Sequence, residues 1–332
     1  MYLEEQAAAP VAAEVEAVLP RRVTLRQGVW RFIRRKPLGA LGFLLIIFLV
    51  AMTLGTPQAK LGVPDLPNRP LGFELGEPWL QRYRAEDVFY NDENRVSSYE
   101  APSANHWLGT DKAGRDVWAR IVNGSRRSVF IGLWAMALAT FLGTTIGVIS
   151  GYFGKLLDVI VQRVMDALQS FPPLVALILI VSINPLTSGP SLIVAAFGLG
   201  LVGTPTVQRI VRGVVLSTRE QQYVEAARVI GASDLRTMGY YILPNIAASI
   251  IVVFSTGLGV IILAEAALGF VAPDKLPEGP SWGLMLNEAQ PVIVDHPWPG
   301  LASAGAIAMA VLGFNLAGDA LRDVLDPRLR LT

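Results

Sequence analysis

Few residues in this sequence have the types and spacing that chemistry needs, and several chemistries are excluded by inspection. The two histidines, His106 and His296, lie far apart in polar or Pro-rich sequence and are not expected to hold a metal. There is no cysteine, which removes disulfides, Fe–S clusters and thiol zinc sites. A phosphate-cradling GxxxxGKS or GxxxxGKT sequence is absent, so ATP hydrolysis by the chain itself is not expected. No His or Cys lies in the long apolar runs, and serine–lysine chemistry lacks its lysine there, so no catalytic residue is assigned. What remains are two carboxylates, Asp166 and Glu265, at the ends of apolar runs. A carboxylate within a membrane span costs a few kcal/mol and faces protein or water. Interhelical contact and the lining of a polar path are the two readings.

The elements that must position these groups are membrane helices. Hydrophobic residues make up 52% of the chain and mean hydropathy is +0.45, above the roughly 45–50% apolar content of soluble domains. Lys and Arg number 28 against 27 Asp and Glu, a balance that argues against a nucleic-acid binder. A crossing helix needs about 20 apolar residues. Apolar runs of about that length, with Glu265 their one charged residue, occur at Leu38–Thr56, Val129–Ser150, Asn245–Phe270 and Leu301–Gly318. The stretch from Ala167 to Gln208 is too long for one span, and Asn184 to Pro190, with two prolines and a glycine, supplies its turn. Six spans result, in an all-α polytopic protein. Pro172 and Pro173 kink or start the membrane part of the third. Arg and Lys in the short loops place both termini in the cytoplasm. The resulting organisation is a cytoplasmic tail over 1–36, a first span over 37–56 and an extracytoplasmic segment over 57–127. A five-span core follows over 128–320, with a cytoplasmic loop at 209–244 and an outer loop at 271–300, and then a C-terminal tail over 321–332. Gly114 to Ile121 reads as an amphipathic lead-in helix, and Trp79, Trp107 and Trp118 suit either the bilayer interface or a docking surface.

The loop 209–244 reads as two short helices joined by a turn. The first runs from Glu220 to Ile230, Gly231 suits a left-handed C-terminal cap, and Ser233 suits an N-cap with Asp234 in the following turn. Pro244 is expected to stop the second helix. Periodicity alone leaves a plain connector as the competing reading.

Residues 223–244 read YVEAARVIGASDLRTMGYYILP, which resembles the Glu-Ala-Ala loop of bacterial ABC importer permeases. His106 to Val117 is similar to the "LGTDxxGRD" signature of that family's dipeptide, oligopeptide and nickel branch. The stretches Asp166 to Pro172 and Phe314 to Arg328 look like others typical of it. Two departures stand out: Gly239-Tyr240-Tyr241 replaces the usual basic residue before Ile242-Leu243-Pro244, and the outer loop from Val271 to Pro280 lacks the common Gly-rich start.

The resemblance implies a type I ABC importer permease fold in a bacterial or archaeal plasma membrane. It implies that Glu225, Ala226, Ala227, Gly231, Ala232, Ser233, Asp234, Leu243 and Pro244 couple the chain to ATPase subunits, and that Asp166, Ser170, Phe171 and Glu265 are candidates for the solute path. The implied partners are a second homologous permease, two ATPase subunits that carry ATP and Mg, an extracytoplasmic solute-binding protein and membrane lipid, with no nucleic acid. No cofactor is bound directly. The cargo could be a dipeptide, a longer peptide, a metal chelate or another small solute. The rival reading is a stand-alone ion-coupled carrier, although its usual inverted repeats and midplane polar residues are not evident.

Overall fold

The architecture is taken from a computed structural model, which describes residues 30, 32–34, 36–55, 82–90, 94–183 and 189–325. The expected N-terminal tail up to residue 29, Trp79, the turn residues 184–188 and the C-terminal stretch 326–332 lie outside the described residues.

Ten α-helices carry the described fold: α1 (Pro37–Leu54), α2 (Val117–Phe153), α3 (Lys155–Gln169), α4 (Pro173–Ser182), α5 (Leu192–Thr218), α6 (Gln222–Val229), α7 (Asp234–Arg236), α8 (Leu243–Val271), α9 (Trp282–Ala289) and α10 (Pro297–Leu325). Five helical segments are long and apolar enough to cross a membrane: α1, α2, α5, α10 and a continuous rod from Asp234 to Val271. The pair α3 and α4, bent by 84°, makes a sixth if counted as one broken span. The protein is thus all-α and polytopic.

Two elements differ from the sequence expectation, whereas the third span breaks at the paired prolines expected to kink or start it. Pro172 takes ψ 127° because the ring of Pro173 excludes the helical region from the residue before it, and the chain turns sharply there. Helix α4 then has 10 residues, about 15 Å, half the hydrocarbon thickness. The lead-in helix expected at Gly114–Ile121 is instead the first turn of α2, which starts at Val117 under an Asp116 cap.

The other correction concerns Pro244, which does not end a helix. It sits in the first turn of α8, directly after a π-helical stretch from Thr237 to Ile242. The Leu243 N–H bonds the Met238 carbonyl, five residues back, and this wider turn gives the proline ring room that an α-turn would deny it. Asn245 Nδ2 donates to the Tyr241 carbonyl at 2.7 Å, satisfying an oxygen of the disturbed turn.

Packing depends on small residues. Gly143, Gly147 and Gly151 recur every four positions along α2 and face α5. A Cβ added at Gly143 would stand 2.7 Å from Val207 Cβ, and one at Gly147 2.9 Å from the Gln208 carbonyl oxygen. In lipid, helices gain little from apolar burial against each other, so this close van der Waals approach supplies the adhesion. Gln208, fully buried in the same seam, donates to Ser150 Oγ at 3.2 Å.

Polar contacts gather at the two ends of the bundle. At one end lie Lys36–Asp323, Arg209–Asp166, Arg212–Asp158 and the coupling of Arg219 to the Gly151 carbonyl. At the other, residues 94–116 fold over the start of α2. Asp116 Oδ1 caps the Ala119 N–H at 2.8 Å while its Oδ2 meets His106 Nδ1 at 2.9 Å. Asp111 accepts from the backbone N–H groups of Ala113 and Arg115 and from the side chains of Arg115 and Arg120. Nearby, burial and the charges of Asp111 and Glu288 push the Tyr99 phenol up.

Candidate functional site

The loop between α5 and α8 is built from its turn outward. Gly231 has φ +84°, the left-handed region in which side-chain-bearing residues are strained, and its N–H bonds the Arg228 carbonyl at 3.0 Å as α6 ends. The Ala232 N–H reaches the Ala227 carbonyl at 3.0 Å, completing the reversal. Ser233 Oγ then accepts from the Arg236 N–H and caps the next helical turn, which opens with Asp234. A second separate helix does not follow. The α7 turn runs through the π stretch into α8, so the second arm of the loop is the inner extension of a spanning helix.

The side chains divide by face. Val224 and Ala227 are buried, and so are Thr237, Met238 and Ile242 on the other arm. Ala227 therefore packs within the chain, while Ala226 and Glu225 are exposed. The sequence pattern missed the residues that dominate the outer face: Val229 (82% exposed), Ile230 (77%), Leu235 (80%) and Tyr240 (79%). Their signal was an apolar pair just before Gly231 and a tyrosine in the place of the usual basic residue. Charged neighbours Arg228, Asp234 and Arg236 are also exposed. Burial pushes the Tyr223 phenol up at the start of α6. Leu243 and Pro244 are exposed at the base of α8, and Ala232 is half-buried in the turn.

The loop is fastened to the rest of the chain by Tyr152, at the end of α2. Its hydroxyl donates to Asp234 Oδ1 at 2.7 Å, and the Arg228 guanidinium lies 5.0 Å from its ring centroid. Tyr152 had no signal in local sequence, since its partners lie 76 and 82 positions away.

The four candidate path residues do not come together. Asp166 is half-exposed on α3 and pairs with Arg209 of α5 at 2.9 Å. Ser170 bonds the Ala167 carbonyl, and Phe171 is 61% exposed at the bend. Glu265 is fully buried in α8, facing Ser128 and Arg127 of α2. Among the described residues, no group of three or more His, Asp or Glu side chains converges as a metal site.

A chain of spanning helices with an exposed apolar and charged loop at one end matches a known design. Residues 143–331 match the family described as the binding-protein-dependent transport system inner membrane component. The chain belongs to that family. It is 40% identical over 241 residues to the dipeptide transport system permease protein of Alkalihalophilus pseudofirmus, covering 73% of this chain and 78% of the relative. It is 38% identical over 252 residues to the glutathione transport system permease protein of Pectobacterium atrosepticum, covering 76% and 81%. This permease is a membrane protein, the transport subunit of an ABC importer in which ATPase activity resides in separate subunits. It works as one component of a multi-component system, and the stand-alone carrier reading is set aside.

Proposed function

We propose that the loop 209–244 is the surface on which the ATPase subunits dock. The observation that carries this reading is the cluster of Val229, Ile230, Leu235 and Tyr240, each more than three-quarters exposed and interleaved with Glu225, Arg228, Asp234 and Arg236. Exposed charges in the same loop argue for an aqueous surface, where large apolar groups so exposed suit a protein partner. Glu225 and Ala226 offer a charge and a close approach. Gly231, Ala232, Ser233 and Asp234 set the turn, and Leu243 and Pro244 join it to α8. ATP and Mg would be bound by the docked subunits.

The loop end is assigned to the cytoplasm. Lys36, Lys155, Arg163, Arg209, Arg212, Arg219, Arg228, Arg236 and Arg322 all belong to this end of the chain topology, as short cytoplasmic segments favour. The termini then lie in the cytoplasm of a bacterial or archaeal cell. A second, homologous permease would complete the pathway, and a solute-binding protein would deliver cargo at the opposite face. The relatives' names support peptides or a related small solute as that cargo.

The test is to solubilise the permease gently from its native membrane, purify it and identify its companions by mass spectrometry, alongside a Glu225→Arg, Leu235→Asp variant. A second six-span permease and one or two Walker-motif ATPases are expected with the wild type, and loss of the ATPases from the variant. A homo-oligomer without ATPase would overturn the reading, as would undiminished ATPase recovery with the variant.

A further inference from the structure

Helix α2 is fixed at both ends by side chains that leave the lipid-facing bundle. Its 37 residues span about 55 Å at the usual rise, enough to reach from the loop surface to the opposite face. At the far end Arg120, almost wholly buried, holds Asp111 and both oxygens of Glu288 in α9. At the loop end Arg219, just beyond α5, donates to the Gly151 and Tyr152 carbonyls at 2.8 and 3.4 Å. Gly154 turns there with φ +61°, and a Cβ on it would stand 2.8 Å from Arg219 Nη1.

The Tyr152 side chain bridges the two arms of the loop. Its ring lies against Arg228 in the last turn of α6, and its hydroxyl donates to Asp234 in the first turn of α7. The side chain is 7% exposed, so it is no part of the outer docking face. Gly231, between the two arms, has no atom within 4 Å of a notional Cβ and offers no steric brace of its own. Beside the Arg219 bonds and the continuation of the second arm into α8, the Tyr152 phenol is the side chain of α2 that touches both arms of the loop, by its ring contact with α6 and its hydroxyl bond to α7. Only the hydroxyl distinguishes tyrosine from phenylalanine at this position.

We propose that Tyr152 is the positioning residue that passes displacement of the loop to α2, and through that helix to the Arg120–Glu288 contact at the opposite face. This rests on the reading of the loop as the ATPase-docking surface. A clamp at Tyr152 makes transport per ATP, and not assembly, depend on the hydroxyl. Tyr152→Phe keeps the ring beneath Arg228 and removes only the bond to Asp234. Asp234→Leu removes the same bond from the other side, and Asp234→Asn keeps an acceptor oxygen.

The experiment reconstitutes the complete transporter with its binding protein in vesicles and measures uptake of a di- to pentapeptide library together with ATP hydrolysis. The readout is peptide carried per ATP hydrolysed, which a mere loss of folded protein does not change. With Tyr152→Phe the expected result is an assembled complex that hydrolyses ATP within twofold of wild type and a ratio at least fivefold lower. Asp234→Leu is expected to lower the ratio in the same way and Asp234→Asn to restore most of it. An unchanged ratio in Tyr152→Phe overturns the clamp. So does failure of both Tyr152→Phe and Asp234→Leu to assemble, because the contact is then structural only. Recovery of ATPase with the Glu225→Arg, Leu235→Asp variant, measured on the same preparations, overturns the docking reading instead.

Discussion

The Arg120 guanidinium lies 2.6 Å from one carboxylate oxygen of Glu288 and 3.3 Å from the other, across 168 residues of chain, while its Nη1 also holds Asp111. Arg120 has a side chain 4% exposed and Asp111 one 7% exposed, whereas Glu288 is 44% exposed. Removing the cation takes one of two guanidinium partners from buried Asp111, which keeps Arg115 and two backbone donors, and removing Glu288 leaves Arg120 with one partner. Arg120→Met is therefore expected to cost about 2–3 kcal/mol, and Glu288→Gln about 1–2 kcal/mol. Thermal unfolding of the purified complex measures both, and equal losses would mean that Asp111 does not depend on Arg120.

The glycine seam between α2 and α5 makes a second prediction. A Cβ at Gly143 would meet Val207 Cβ at 2.7 Å, closer than side chains pack, whereas Gly213 on α5 has nothing within 4 Å. Gly143→Val is expected to cost about 1–3 kcal/mol by overpacking or to force the helices apart. Gly213→Ala is expected to be neutral or to stabilise by up to about 1 kcal/mol, through helix propensity. Monodispersity in detergent and unfolding midpoint compare the pair, and tolerance of Gly143→Val would place the adhesion elsewhere in the interface.

At Gly231 the backbone, not space, sets the limit. With φ +84° and no neighbour within 4 Å, any substitution fits sterically and differs only in its access to the left-handed region. Asn enters that region readily, Val pays about 1–2 kcal/mol or more, and Pro is locked near φ −65°. Uptake should fall in the order Gly, Asn, Val, Pro. Full uptake by Gly231→Pro would mean that the reversal of the chain is not needed for transport.

The sequence exposed some of this architecture more readily than the rest, for physical reasons. An apolar run of twenty residues has few alternatives to a membrane helix, so α1, α5, α8 and α10 were legible. Gly231 and Ser233 were legible because the turn they make requires their backbone and hydroxyl. Pro244 misled because proline stops an α-helix, and nothing in the pattern reports that the preceding turn is π-wound and has room for the ring. Ala227 looked like half of an open surface, yet helical rotation turns it inward beside Val224. Tyr152 and Arg120 were out of reach, since their roles lie in partners 82 and 168 positions distant.

Glu265 poses the sharpest energetic question in the bundle. Its carboxyl group is completely buried, six positions from the end of a spanning helix, with Ser128 and Arg127 of α2 facing it. Ser128 Oγ and Arg127 Nε are buried beside it on the facing helix. The remaining Arg127 donors instead reach the carbonyls of Pro277, Glu278 and Gly279 in the outer loop. A buried carboxyl without a close ion pair lowers stability, and in a membrane span such a group points to a function. Glu265→Met, similar in length and apolar, is expected to raise stability by on the order of 1–3 kcal/mol and to reduce uptake at least tenfold. The unfolding midpoint and vesicle uptake, measured on one preparation, separate the two effects. A more stable variant with full uptake would reduce Glu265 to a cost without a use, whereas a less stable one would mean that the carboxyl finds its partner only in the assembled transporter.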